Sequence, residues 1–295
     1  MILVTGASGN NGRALIRQLS ARGAAVRGMI RRPDPMSPSR PGVEMVTGDF
    51  DDLASIGRAL EGVDRAFLVT NSSERAEERQ LGFVEAARDE GVRHLVYLSQ
   101  FQAARNSPVR FLRYHAVVEE AIVRSGIAYT FLRPNLFMQG LLSFRSTIQV
   151  AGRFFAPVGE AVVSVVDVRD IAAVAAAALT EPGHEGQAYD ITGPETLTHA
   201  QMAAQLSAAL GMPVSFVDIT EEAMRSTLRA FRFPEWQAEG LIEDYAHYRR
   251  GEAALVTSTV WELTGNAARP FSVFARDYRQ AFLDPAGHAA SSAGQ

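Results

Sequence analysis

The hydrophobic pattern opens as an unbroken apolar triplet, Ile2-Leu3-Val4, and then changes period. A short apolar run closed by Thr5-Gly6 reads as a buried strand and its turn. Ala14, Leu15 and Leu19 recur at helical intervals before Gly23, which predicts a helix over 13–22. The same alternation then repeats. Strands are predicted at 25–30, 43–47, 65–70 and 94–99. Between them lie a helix patterned by Leu53, Ile56 and Leu60, with Asp52 as its cap, and another over 74–90 that stops at Gly91. The Pro- and Ser-rich stretch 33–41 has no period and predicts a surface loop. Farther along, 162–166 predicts a return to the sheet, 167–179 a helix packed on it, and 187–191 one more strand. Helices are predicted over 198–210, 220–230, 235–250 and 272–283, with 214–217 as a peripheral strand. Strands alternating with helices build a parallel sheet covered on both faces, so the fold class is α/β, doubly wound, with a smaller and mainly helical C-terminal part.

The first turn carries the clearest chemistry. Gly6, Gly9 and Gly12 follow the opening strand at Gly-x-x-Gly-x-x-Gly spacing. The first permits a tight turn, the second lets backbone approach a pyrophosphate, and the third lets the helix pack close to the strand. Ser8, Asn10 and Asn11 fill the turn at a helix N-terminus, where free N–H groups and the dipole favour an anion. Arg31 and Arg32 end the second strand, where an NAD-selective site places an acidic residue. A guanidinium fork suits a 2′-phosphate, so the expected cofactor is NADP(H) in preference to NAD(H). Thr70 and Asn71 end the fourth strand and Ser99 the fifth, at the carboxyl edge where open α/β sheets bind ligands.

Composition narrows the partners. A chain of 295 residues, 47% hydrophobic, supplies a sizeable core. A net charge of −4 argues against nucleic acid, and the longest apolar run, 171–179, falls far short of the roughly 20 residues that cross a bilayer. With no cysteine, a direct start into a strand and no leader pattern, a cytoplasmic location is expected. The six histidines show no ligand spacing, so no metal is expected. All 29 basic residues are arginine, which excludes any mechanism that needs lysine.

The glycine spacing resembles that of short-chain dehydrogenases and reductases. More narrowly, the whole chain resembles their NmrA-like atypical branch, which includes quinone reductases, triphenylmethane dye reductases and a redox-sensing regulator. The likeness rests on the glycine turn, on His115-x-x-x-Glu119, on Tyr129-Thr130-Phe131-Leu132-Arg133, on 166–172 and on 189–195. It implies a Rossmann-type fold in which Asp49 and Phe50 contact adenine, and Ser99 hydrogen-bonds substrate. Ordinary members carry a Tyr-x-x-x-Lys pair as proton donor and helper. Here Phe111 and His115 stand at those positions, as histidine does in the quinone- and dye-reducing members. Tyr114 lies about 100° around the helix from His115 and cannot replace the phenol.

On this reading His115, Glu119 and Ser99 are the catalytic candidates. Glu119, four residues on, could orient the imidazole or raise its pKa, and His115 could donate a proton or only position the cofactor. Asn135 completes the expected cofactor set. Residues 1–135 with 162–195 are expected to form the NADP(H) domain, 136–161 with 196–283 a substrate-binding cap, and 284–295 a disordered tail. Phe101, Phe137, Met138 and Phe144 are candidates for an apolar pocket, together with Phe155, Trp236 and Tyr245. The expected activity is NADPH-dependent hydride transfer to a conjugated or aromatic acceptor, by a monomer or homodimer. The alternative is a non-enzymatic NADP(H) sensor of the regulator's type.

Overall fold

Seven strands form the main sheet in the computed structural model, which describes residues 1–32 and 42–284. The loop expected at 33–41 and the tail expected beyond Asp284 lie outside the described residues. From one edge the strands run Val43–Thr47, Val26–Ile30, Ile2–Val4, Arg65–Leu68, His94–Leu98, Ala128–Pro134 and Gln187–Ile191. The first six pair in parallel with their neighbours. The order reverses direction between Ile2–Val4 and Arg65–Leu68, the kind of switch point beside which doubly wound sheets hold dinucleotides. Thr5, fully buried, pins that point: its hydroxyl donates to Val69 O at 2.9 Å and accepts from Val69 N at 2.8 Å.

The chain divides into two compact units. The first comprises Met1–Asn106, Leu112–Pro134 and Val168–Asp190. Its core joins Leu3, Phe83, Leu95, Tyr97 and Ile122 around the sheet. The alanine-rich helix Val168–Thr180 packs against the first helix, Asn10–Ala21, where small side chains permit close approach. Arg65 caps it by donating to Leu179 O at 2.7 Å. Asp52 caps Leu53–Leu60 as expected, accepting from Ser55 N at 3.2 Å.

The second unit comprises Ser107–Phe111, Asn135–Asp167 and the described residues from Ile191 onward. Its core gathers Phe154, Leu206, Tyr248, Phe271 and Phe274. The stretch 162–166 does not rejoin the main sheet. Val162–Val163 instead pairs antiparallel with Leu197–Thr198, and Val166 bridges Phe137. Two residues make too short a ladder to compete for a place in the sheet, and polar Ser164 interrupts the run by bonding Leu255 O at 2.6 Å. The peripheral strand is Ser215–Asp218, parallel to Arg153–Ala156. The final helix is two, Phe271–Asp277 and Arg279–Leu283, broken at Tyr278. Among the described residues no helix is long and apolar enough to cross a membrane.

Candidate functional site

The opening strand runs into a turn in which Gly6 takes φ +58°, a left-handed conformation that favours glycine. Gly9 N then donates to Gly6 O at 2.9 Å, and the helix starts at Asn10. A side chain at Gly12 would put its Cβ 2.2 Å from Gly6 O and 2.8 Å from Ala7 Cα, so helix and turn touch through main chain alone. Gly9, Ser8 and Asn10 are exposed, and no side chain caps the helix N-terminus. Asn11 Oδ1 is buried without a hydrogen-bond partner. Exposed backbone donors over a turn that only glycine can build fit a dinucleotide pyrophosphate.

The residues expected to hold the rest of that cofactor divide in the fold. Arg31 and Arg32 follow Val26–Ile30 in exposed positions, and neither enters a hydrogen bond or ion pair among the described residues. Asp49 accepts from Asp51 N at 3.1 Å, which leaves its second carboxylate oxygen without such a bond. Phe50 is half-buried and packs on Phe83 at 5.8 Å between centroids. Asn71 is exposed, whereas Thr70 accepts from Gln80 Nε2 at 2.6 Å. Asn135 is spent elsewhere. Its Nδ2 donates to Ser164 Oγ and Ala253 O, each at 2.8 Å, and its Oδ1 accepts from Leu136 N. An amide with every group committed inside the second unit is a structural residue, which corrects its expected cofactor role.

Strand His94–Leu98 and helix Arg110–Ser125 position the chemistry of the first unit. Ser99, just past the strand, is buried, and its hydroxyl lacks a partner. His115 is 8% exposed and stacks on Tyr114 at 4.2 Å between centroids. Its Nδ1 lies 2.5 Å from the hydroxyl of Tyr97, which in turn donates to Gln80 Oε1 at 2.7 Å. Glu119 does not orient this imidazole. Its carboxylate takes a two-pronged bond from Arg133, at 2.9 and 2.5 Å. That geometry suits a guanidinium better than an imidazole can. Nor is the pKa of His115 raised: burial lowers it from 6.5 to about 3. The side chain is therefore neutral at physiological pH, and burial holds Tyr97 well above the ordinary phenol range. Tyr114 bonds Ser72 Oγ at 3.1 Å.

Phe111, which the resemblance sets where ordinary members carry tyrosine, packs within the second unit on Trp236 at 5.5 Å, and Gly240 leaves space for its ring. Arg110 lies over the same indole at 5.6 Å and is held by Glu243 at 2.7 Å. Of the other pocket candidates, Phe144 and Phe155 meet edge to face at 5.3 Å, and Tyr245 faces His199 at 6.4 Å. Phe137 is half-buried and bridges Val166. Met138 and Phe101, 1% and 3% exposed, are buried, and Met138 packs in the core of the second unit. Among the described residues no group of three or more His, Cys, Asp or Glu side chains is placed to hold a metal.

Sequence reasoning missed Tyr97 and Gln80. The available signal was a phenol within an otherwise apolar buried strand, two residues before Ser99 and so on the same side of an extended chain.

Buried histidine also sets an acid limit. His199 packs among Phe154, Phe216 and Tyr245, its Nδ1 lacks a partner, and burial lowers its pKa from 6.5 to about 4. Both it and His115 are neutral when folded and gain a proton on unfolding below about pH 6.5, so stability rises with pH up to that value and then levels off. Going from pH 7 to pH 5 is expected to cost on the order of 2 kcal/mol for each. Denaturant titration at both pH values checks this, with His199→Leu flattening the dependence by its share.

The sheet order, glycine turn and carboxyl-edge polar residues together define a dinucleotide-binding α/β protein. The sequence profile of the NmrA-like family matches residues 1–257, and the chain belongs to that family. It is 42% identical over 283 residues to a (4-alkanoyl-5-oxo-2,5-dihydrofuran-3-yl)methyl phosphate reductase of Streptomyces griseus, covering 96% of this chain and 99% of that one. To an NAD(P)H azoreductase of Xenophilus azovorans it is 38% identical, with the same coverage. Among solved structures, the NADPH complex of the quinone oxidoreductase QOR2 from Escherichia coli superposes with a TM-score of 0.84 at 25% identity, covering 94% of this chain and 99% of that one.

Proposed function

We propose that this protein is an NADPH-dependent reductase that delivers hydride to a conjugated, electron-poor acceptor without a tyrosine–lysine pair. The observation that carries the reading is the lack of an acid at the expected positions. Phe111 has no proton to give, and His115 is buried and neutral. An isolated ketone needs a donor to stabilise its developing alkoxide, whereas an acceptor that spreads charge over a conjugated system needs mainly orientation.

NADPH, when bound, supplies the hydride. The glycine turn would seat its pyrophosphate, and Arg31 and Arg32 its 2′-phosphate. Ser99 Oγ, buried and unpartnered, is free to hold a polar atom of the acceptor. The two hydride electrons reduce the acceptor, and the balancing proton comes from water. The names of the relatives support this class: they are a reductase of an alkanoyl-oxo-dihydrofuranyl methyl phosphate, an azoreductase and a quinone oxidoreductase.

The test is NADPH oxidation against a panel of quinones, azo dyes, acyl-butenolides and simple ketones. Turnover of conjugated acceptors but not of ketones is expected. Replacing both Arg31 and Arg32 by alanine should raise KM for NADPH about tenfold and leave that for NADH unchanged, reflecting lost charge-assisted bonds. NADPH binding with no turnover across the panel would defeat the reductase reading and favour a sensor.

A further inference from the structure

The hydrogen bonds that reach His115 have a direction. Gln80 and Tyr97 are 1% and 0% exposed, so water does not compete for them. Gln80 Nε2 donates to Thr70 Oγ1 at 2.6 Å, which turns its Oε1 toward the Tyr97 hydroxyl at 2.7 Å. A carbonyl oxygen only accepts, so the single phenolic proton is spent on Gln80. The same phenolic oxygen lies 2.5 Å from His115 Nδ1. It meets that nitrogen as an acceptor, so Nδ1 carries the hydrogen. A neutral imidazole has one N–H, and Nε2 is left with a bare lone pair. Among the described residues Nε2 has no protein partner.

We infer that Gln80 and Tyr97 are positioning residues that lock His115 in its Nδ1–H tautomer, so that Nε2 accepts a hydrogen bond from a ligand hydroxyl and donates no proton. The tautomer follows from the buried bonds alone. Its use rests on the proposed reductase reading: Nε2 orients an alcohol of the bound dinucleotide or acceptor, and the proton that completes reduction comes from water. Thr70 and Gln80 thus do indirectly, through Tyr97, what Glu119 cannot do because Arg133 holds it.

Nitrogen-15 NMR of histidine-labelled protein without cofactor, near neutral pH, tests the lock. The expected spectrum places His115 Nδ1 at the protonated, pyrrole-type shift and Nε2 at the unprotonated, pyridine-type shift. Gln80→Leu removes the acceptor for the phenol, frees Tyr97 to donate to Nδ1, and is expected to move the hydrogen to Nε2, a change that a purely structural role would not produce. Tyr97→Phe is expected to raise KM for NADPH about tenfold with kcat changed less, as loss of a binding contact requires. Wild-type protein with the hydrogen on Nε2, or with an imidazolium, overturns the inference, as does a Gln80→Leu spectrum unchanged from wild type. If the tautomer is as expected and no acceptor on the panel is reduced, the lock stands and the reductase reading falls.

Discussion

Gly12→Ala is expected to lower NADPH affinity about a hundredfold and to destabilise the fold by about 3 kcal/mol. The added Cβ would lie 2.2 Å from Gly6 O, 2.7 Å from Gly6 C and 2.8 Å from Ala7 Cα. All three are main-chain atoms, so no rotamer change relieves the overlap. Helix Asn10–Ala21 must lift from the turn, carrying its N-terminal N–H groups away from where a pyrophosphate would sit. Denaturant unfolding and NADPH fluorescence titration measure the two effects. Gly9→Ala separates them. Its φ of −82° suits any residue, and its Cβ would meet only Gly6 O, at 3.3 Å. It is expected to fold with nearly wild-type stability and still bind NADPH more weakly. Wild-type NADPH affinity in Gly12→Ala would remove the turn from the cofactor site.

Arg133→Met carries the other large effect. Glu119 is buried, its side chain 8% exposed, and Arg133 is its cation. Removing the guanidinium strands a carboxylate on the inner face of the Arg110–Ser125 helix, and the expected loss is about 3 to 5 kcal/mol. The double variant Arg133→Met with Glu119→Leu should recover most of it, because a matched apolar pair does not pay the desolvation of a lone charge. Chemical denaturation of the single and double variants measures both. The double variant should also leave the His115 tautomer and NADPH turnover near wild type, since His115 is held by Tyr97. A double variant that folds but loses turnover would return Glu119 to the catalytic set.

Much of the first unit was legible in the chain because its signals are local. Buried parallel strands read as short apolar runs, and Gly6, Gly9 and Gly12 announce a turn through steric demands that lie within a few residues of one another. Three helices of the second unit, His199–Leu210, Glu221–Ala230 and Glu235–Arg249, were legible for the same reason: 3.6-residue periodicity survives whatever the helix packs against. The 162–166 stretch was misplaced because an apolar run predicts extended chain but not its partner. The partner proved to be Leu197–Thr198, more than thirty residues away.

The site divides along the same line. The sequence by itself determined that a glycine turn opens an α/β sheet, that arginines rather than an acid follow the second strand, and that the chain holds no lysine for any mechanism to use. Those are matters of residue identity at fixed spacing. Only the tertiary structure decided who bonds whom. Glu119 and His115 are neighbours by helical spacing, yet Arg133 from the adjacent strand Ala128–Pro134 takes the carboxylate, and Tyr97 from His94–Leu98 takes the imidazole. Helical spacing sets which side chains can meet on one helix. Burial against the sheet sets which partners are present when water is gone, and so fixes both the charge of His115 and the nitrogen that carries its hydrogen.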